Sequence, residues 1–329
     1  MALVLATLTA SAFHAPAPIP VLQKALVASA FRTPALRPVR LQKATISHRA
    51  AGAEMSLSFL PCWGIATAAC SLAMLRQAYV FSLSYGLAAA GIGFAVLKEI
   101  PASSSSSILA WHAYLVIAYG VRLFGFLLWR QVGQDAGWGQ RLANLDKSPR
   151  PKRVSLIVST ALFYALMTSP LLFHLNSAPL PFPGVSMVGC ALALFGLVVE
   201  AVADHTKSLF KIHLRKTGQA DRPITSGVWA RTRHANYFGE IVFWCGATLA
   251  GLPSLLSPGS TLLTKGLRAI SMGLGLSGIV FIMLSATKRL EGKQAERAAT
   301  VWPVLTKDGG LDSYEAYVQR SGALFPKLL

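Results

Sequence analysis

Charge is what this chain has least of, and the shortage is uneven. Only 13% of its 329 residues are charged, where an average soluble domain has about a quarter. Acidic residues are the scarcer sign, 13 against 31 Lys and Arg, for a formal charge of +18. None precedes Glu54. Cysteine is sparse too: Cys62, Cys70, Cys190 and Cys245 are scattered through apolar stretches with no CxxC pair. That spacing argues against a disulfide framework or a zinc site and leaves them as small core residues. No internal repeat is visible.

What is present in excess is apolar. Hydrophobic residues make up 53% of the chain and the mean hydropathy is positive. Low charge with high apolarity points to a multi-span membrane protein. A basic balance can also signal nucleic-acid binding. Here, however, the Lys and Arg residues lie between apolar runs, as membrane topology requires, and no nucleic-acid partner is expected.

Residues 1–54 differ in kind from the rest. MALVLATLTASAF is apolar, ends in small residues and is too short to span a bilayer, like a signal-peptide core. It is followed by Pro, Ala, Ser and Thr with Lys24, Arg32, Arg37, Arg40, Lys43 and Arg49. Acid-poor, Arg-bearing leaders have the composition of organelle transit peptides. The junction Ala10-Ser11-Ala12-Phe13 resembles the signal/transit boundary of algae with multiply wrapped plastids, and ASAF recurs at Ala28 to Phe31. The segment reads as a cleavable leader addressed to a plastid membrane, or otherwise to an endomembrane. Residues 55–329 then form the membrane domain.

Seven apolar runs follow, at 57–75, 78–97, 108–128, 154–175, 184–203, 236–256 and 266–286. Each approaches the roughly 20 residues that a spanning helix needs; the first two are separated only by Arg76 and Gln77. Three segments carry the basic residues. Residues 129–153 hold Arg130, Arg141, Lys147, Arg150, Lys152 and Arg153. Residues 204–235 hold Lys207, Lys211, Arg215, Lys216, Arg222, Arg231 and Arg233. The tail holds Lys288, Arg289, Lys293, Arg297, Lys307, Arg320 and Lys327. Two spans separate each segment from the next, so all three share one membrane face, while NSAPLPFP at 176–183 and SPGSTLLT at 257–264 carry no charge. Ser103–Ser107 reads as an exposed loop. The expected fold is an all-α polytopic bundle of about seven transmembrane helices with basic loops on one face. Its expected partners are membrane lipids and a lipophilic small molecule.

Two stretches on the basic face carry chemistry. In helical register Glu200, Asp204, Lys207 and Lys211 share one face. Carboxylates this deep in an apolar span are costly and mark function; salt bridges to Lys207 and Lys211 are the structural alternative. After a turn at Gly218 to Pro223 comes TRHANYFGEIVFWCG. A helix starting near Ala235 sets Asn236, Glu240 and Trp244 on one face. A carboxyl buried there can act as a hydrogen-bond donor, suited to polarising a carbonyl on a lipophilic substrate. Arg233 and His234, at the mouth, suit an anionic cofactor. Tyr314, Tyr317 and Arg320 follow the last span on the same face.

GVWARTRHANYFGEIVFWCG resembles the signature G-x-W-x-x-[ST]-R-H-P-N-Y-x-G-E of the DUF1295 family, within the steroid 5-alpha-reductase-like membrane superfamily. The Tyr-x-x-Tyr ending before Phe325-Pro326 and VRLFGFLLWRQ at 121–131 resemble the family as well, so the likeness covers roughly residues 60 to 329. Ala235 departs from the usual proline, and ANYFGEI is close to the Ala-Asn-Phe-x-Gly-Glu of the steroid 5-alpha-reductases themselves. The resemblance implies NADPH bound among the C-terminal helices and basic loops, with a lipophilic enone entering from the bilayer. It implies catalytic roles for Glu240 and Asn236, with Glu200 and Trp244 toward the substrate. Asp204, Lys207, Lys211, Arg222, Arg233, His234, Tyr237 and Tyr317 would lie toward the cofactor. Lys211 stands where those enzymes have a phosphate-binding arginine, a change that is not equivalent. A catalytic tyrosine from an earlier helix is also implied, with Tyr114 and Tyr119 as candidates.

The reading is therefore an NADPH-dependent reductase of a conjugated carbon–carbon double bond. Two alternatives stand beside it. One is an S-adenosylmethionine-dependent methyltransferase resembling the isoprenylcysteine methyltransferases, which carry a related RHP-x-Y-x-G motif. The other is a non-catalytic lipid- or sterol-binding membrane protein.

Overall fold

The computed structural model describes residues 57–104, 107–133, 146, 149–177, 179–300 and 313–327. The leader, Arg141, Lys147, Lys307 and part of the serine run lie outside them. Each of the seven apolar runs carries a helix. In chain order these are α1 (Phe59–Cys70), α2 (Leu83–Glu99), α3 (Ile108–Gly133), α4 (Arg153–Leu175), α5 (Pro183–Lys216), α6 (Ala235–Gly251) and α7 (Leu262–Thr300). A short α8 (Tyr314–Arg320) follows in the tail. The protein is an all-α bundle, and the described residues contain no strand, only a single bridge between Thr232 and Gly322.

Among the described residues five helices are long and apolar enough to cross a membrane: α3, α4, α5, α6 with its continuation to Leu256, and α7. The first two runs fall short of that length. A tight turn carries α1 only to Met74, and α2 has 17 residues, which at 1.5 Å per residue is roughly 25 Å against a ~30 Å hydrocarbon core. The cause is local. Arg76 is extended, its guanidinium donates to Asp146 Oδ2 at 3.1 Å, and the Gln77 amide donates to Asp146 Oδ1 at 2.5 Å. A polar anchor thus separates the two runs.

Two helices outrun their apolar stretches, α5 past residue 203 and α7 past residue 286. Strong helix formers continue both. Gly218 stops α5, at φ 65°. The Gln219 amide donates to Leu214 O at 2.9 Å and the Gly218 amide to Arg215 O at 3.3 Å, the paired bonds of a Schellman motif. At its other end Pro183 fills the first helical position, where its missing N–H costs nothing.

α5 and α6 pack against each other along their length, and glycine makes the contact possible. A Cβ on Gly189 would lie 2.3 Å from Ala250 N, one on Gly196 2.3 Å from Phe243 N, and one on Gly246 2.3 Å from Ala193 N. In lipid, where apolar tails give helices no hydrophobic reason to associate, such backbone approach is a main source of affinity. α4 is gripped similarly. Pro170 lies inside it, and Gly275 of α7 fits against Leu166 O, the carbonyl that the proline leaves without its helical donor.

Gly196→Ala forces α5 and α6 apart and lowers stability by about 1–3 kcal/mol. Gly125→Ala, with nothing within 4 Å, leaves stability unchanged or slightly raised. Thermal unfolding of the two purified variants in detergent checks the contrast.

Candidate active site

The close α5–α6 contact sets the polar residues. A Cβ on Gly239 would lie 2.6 Å from Glu200 N, so the turn that carries Glu240 sits directly on the backbone of Glu200. Both carboxyls are buried, at 3% exposure for Glu200 and 8% for Glu240, and Asp204 one turn on is at 9%. Three buried carboxyls within two turns of packed helix require partners.

α3 supplies the cation. Arg122 donates through Nη1 to Glu200 Oε1 at 2.6 Å and through Nη2 to Asp204 Oδ2. Asn236, at the start of α6, lies near Asp204. Oε2 of Glu200 is buried with no hydrogen-bond partner.

Glu240 is partnered by a hydroxyl. Tyr85 of α2 donates to Glu240 Oε1 at 2.9 Å. The Tyr119 hydroxyl lies 3.0 Å from that of Tyr85, and Trp244 Nε1 donates to the Tyr85 oxygen. With its one proton given to Glu240, Tyr85 is the acceptor from Tyr119. Rings hold these groups in place: Tyr119 stacks on Phe243 at 4.1 Å between centroids, and Tyr85 on Tyr164 at 5.1 Å. The result is a satisfied polar cluster walled by aromatic rings.

A second group lies toward the basic face. The Lys207 ammonium sits 4.8 Å over the Trp229 ring. Lys211 pairs with Asp221 and donates to Arg222 O at 2.8 Å. Arg222 lies over Phe210, 5.6 Å from its centroid, and its Nε is buried without a hydrogen-bond partner.

Arg233 and His234 have a different setting. Arg233 donates to Glu291 Oε2 through Nε at 2.8 Å and Nη2 at 2.6 Å, and to Ser321 O through Nη1 at 2.7 Å. His234 Nε2 lies 2.8 Å from Glu291 Oε1, and Tyr237 stacks on the His234 ring. Together they clamp α7 and the tail to the start of α6. Backbone bonds complete the clamp, from Arg233 N to Gly322 O and from Gly322 N to Arg231 O, both 2.9 Å. Tyr317 donates its hydroxyl to Trp229 O at 2.7 Å. Burial pushes the Tyr317 phenol up, which keeps that proton on the oxygen.

The structure thus brings Glu200, Asp204, Asn236, Glu240 and Trp244 to one cluster, with Lys207, Lys211 and Arg222 at the adjoining end of α5 and its turn. Of the two tyrosine candidates Tyr119 is in the cluster, while Tyr114 is 38% exposed on the outer side of α3 against Trp111. Three participants were missing from the sequence reading: Tyr85, Arg122 and Glu291. Arg122 carried a signal, as the lone charge inside the 108–128 run. Tyr85 and Glu291 carried none that spacing reveals.

Comparison with known proteins bears on this arrangement. Residues 80–299 match the family model described as protein of unknown function (DUF1295). Over 85 residues the chain is 39% identical to 3-oxo-5-alpha-steroid 4-dehydrogenase 1 of Rattus norvegicus, covering 24% of this chain and 31% of the relative. Over 65 residues it is 40% identical to the protein of that name from Mus musculus, covering 20% and 24%. The chain therefore spans under a third of the length of these curated relatives. No solved structure matches it.

Glu291→Ala strands the buried Arg233 guanidinium and costs about 3–5 kcal/mol. Thermal unfolding reads the loss, and limited proteolysis shows the tail at 313–327 becoming cleavable. Arg297→Ala removes an exposed pair with Asp221 and changes stability by about 1 kcal/mol or less.

Proposed function

The chain belongs to the DUF1295 family, and from that membership we propose that it is a membrane-embedded reductase acting on a carbon–carbon double bond conjugated to a carbonyl. Its substrate is lipophilic, steroid- or isoprenoid-like, and its reductant is NADPH. The observation that carries the reading is the buried hydrogen-bonded cluster of Glu240, Tyr85, Tyr119 and Trp244 inside an apolar bundle. The named activity of the curated relatives, on 3-oxo steroids, supports the same chemistry.

The donor set fits an anionic dinucleotide. Arg222 Nε is a buried donor without a partner, and Lys207 and Lys211 stand beside it on α5. We assign Lys207, Lys211 and Arg222 to the phosphates, and Asp204, Asn236, Tyr237 and Tyr317 to the remainder of the cofactor. Arg233 and His234 support that site by holding the tail in place. When bound, NADPH supplies hydride to the β-carbon of the enone.

The protein's own part is positioning and charge. Glu240, held at Oε1 by the Tyr85 hydroxyl, which Tyr119 backs in turn, offers a hydrogen bond as the neutral acid to the substrate carbonyl, where negative charge develops as the double bond is reduced. Phe243 and Trp244, both buried, exclude water and strengthen those bonds. Arg122 fixes Glu200 and Asp204, and so fixes α5 relative to α3. Residues 1–54 act as a leader removed on delivery to a plastid membrane; the N-terminal mass of the mature protein tests this.

Thermal shift on the detergent-purified protein should show NADPH stabilising it by about 2.7 kcal/mol at a hundred times the dissociation constant. The shift should shrink in Arg222→Ala. With a 3-oxo-4-ene steroid as probe, Glu240→Gln should lower kcat by about 10²–10⁴-fold. Stabilisation by S-adenosylmethionine in place of NADPH would overturn the reductase.

A further inference from the structure

One buried polar pair has no part in the chemistry above. His112, at the start of α3, and His174, at the end of α4, are each 1% exposed. Their Nδ1 atoms lie 3.2 Å apart, so one ring carries its proton on that nitrogen and the other accepts it. Nε2 of His112 is buried and has no hydrogen-bond partner among the described residues. A buried imidazole nitrogen is costly to leave so, whether it is the bare acceptor or the N–H donor. The pair lies at the end of the bundle away from the basic face. His112 precedes Tyr119 by seven positions, nearly two full turns, so the two share one face of α3 about 10 Å apart along its axis. The same order holds on α4: Tyr164, stacked on Tyr85, precedes His174 by ten positions, about 15 Å of helix. Between the two levels lie apolar side chains, Ile92 of α2, Val116 of α3 and Leu172 of α4.

We propose that His112 is the far subsite for the substrate: its Nε2 hydrogen-bonds a hydroxyl at the opposite end of the lipophilic molecule whose carbonyl meets Glu240. The inference rests on the reduction proposed above and narrows its substrate class. With the dinucleotide on the basic side of Glu240, the rest of the substrate extends the other way along the bundle, toward the histidine pair. A carbonyl at the far end satisfies Nε2 only when that nitrogen carries a hydrogen. A hydroxyl both donates and accepts, so it satisfies Nε2 in either tautomer, while His174 orients the ring through Nδ1. A rigid fused-ring skeleton keeps its two oxygens at a fixed separation of the kind that α3 sets between His112 and Tyr119; an open isoprenoid chain does not. The apolar middle takes the ring carbons. A molecule without the far hydroxyl leaves Nε2 unpaired and is disfavoured for that reason.

Binding of two probes to the detergent-purified full chain tests the subsite without turnover. One is a 3-oxo-4-ene steroid with a hydroxyl on the ring farthest from the ketone, the other the same steroid with hydrogen there. The native protein should bind the hydroxylated probe about three- to tenfold more tightly, the worth of one hydrogen bond. Amide variants separate the two ring nitrogens. His112→Asn keeps a polar group at the Nδ1 position, and with it a bond to His174, but none at Nε2; it should bind both probes alike. His112→Gln, with its amide at the Nε2 position, should keep the preference that the asparagine variant loses. Equal binding by the native protein, or the reverse order of the two variants, overturns the subsite. If the asparagine variant does not fold, nitrogen-15 histidine spectra of the native protein take its place: the hydroxylated probe should shift an Nε2 resonance that the other probe leaves unmoved, and no such shift overturns the subsite. If NADPH reduces neither probe while the preference holds, the proposed reduction fails and the subsite stands. Reduction of both probes with equal binding has the opposite meaning.

Discussion

The contact between α5 and α6 sets the terms for the rest of the molecule. Four glycines, Gly189, Gly196, Gly239 and Gly246, let two backbones touch where any side chain would hold them apart. Nothing in lipid replaces that contact, since apolar tails solvate a separated helix as well as another helix does. With the backbones touching, Glu200 sits against the turn that bears Glu240. Arg122 can then reach two carboxyls on α5 while Tyr85 and Tyr119 reach the carboxyl on α6.

Two polar layers follow, and they are held differently. The inner one lies within the bundle and is built from bonds between helices, so each member fixes the rotation of its helix. The outer one lies at the basic end, where Glu291 gathers Arg233 and His234 and the tail adds backbone bonds. Lys207, Lys211 and Arg222 stand at the far end of α5 and in the turn after it. Basic residues that look alike in composition therefore do different work: Arg122 joins helices, Arg233 fastens the tail, and Arg222 keeps a buried donor unspent.

Much of this was legible in the chain. Apolar runs located seven of the eight α-helices among the described residues, and the register from Ala235 set Asn236, Glu240 and Trp244 on one face as the helix displays them. Local spacing stops there. Tyr85 and Glu240 are 155 positions apart and Arg122 and Glu200 are 78 apart; no period encodes how two distant helices are rotated against each other. The same limit applies to Arg233 and His234. Their position before α6 put them at the mouth of that helix, and only the return of α7 and the tail buries them. The break at Arg76 and Gln77 was visible, whereas its anchoring by Asp146 was a tertiary event.

The bridge between Thr232 and Gly322 has a consequence for the order in which the protein is made. Translation delivers the helices first and residues 313–327 after them, and N-terminal parts of a chain fold earliest. The bundle can thus insert and pack before the clamp exists, and Arg233 waits with part of its donor set open until Ser321 and Gly322 arrive. Arrival of residues 313–327, rather than insertion of α7, is the event that completes the clamp. A chain stalled in between would be an inserted membrane protein with an unfinished mouth, open to proteases on the basic side.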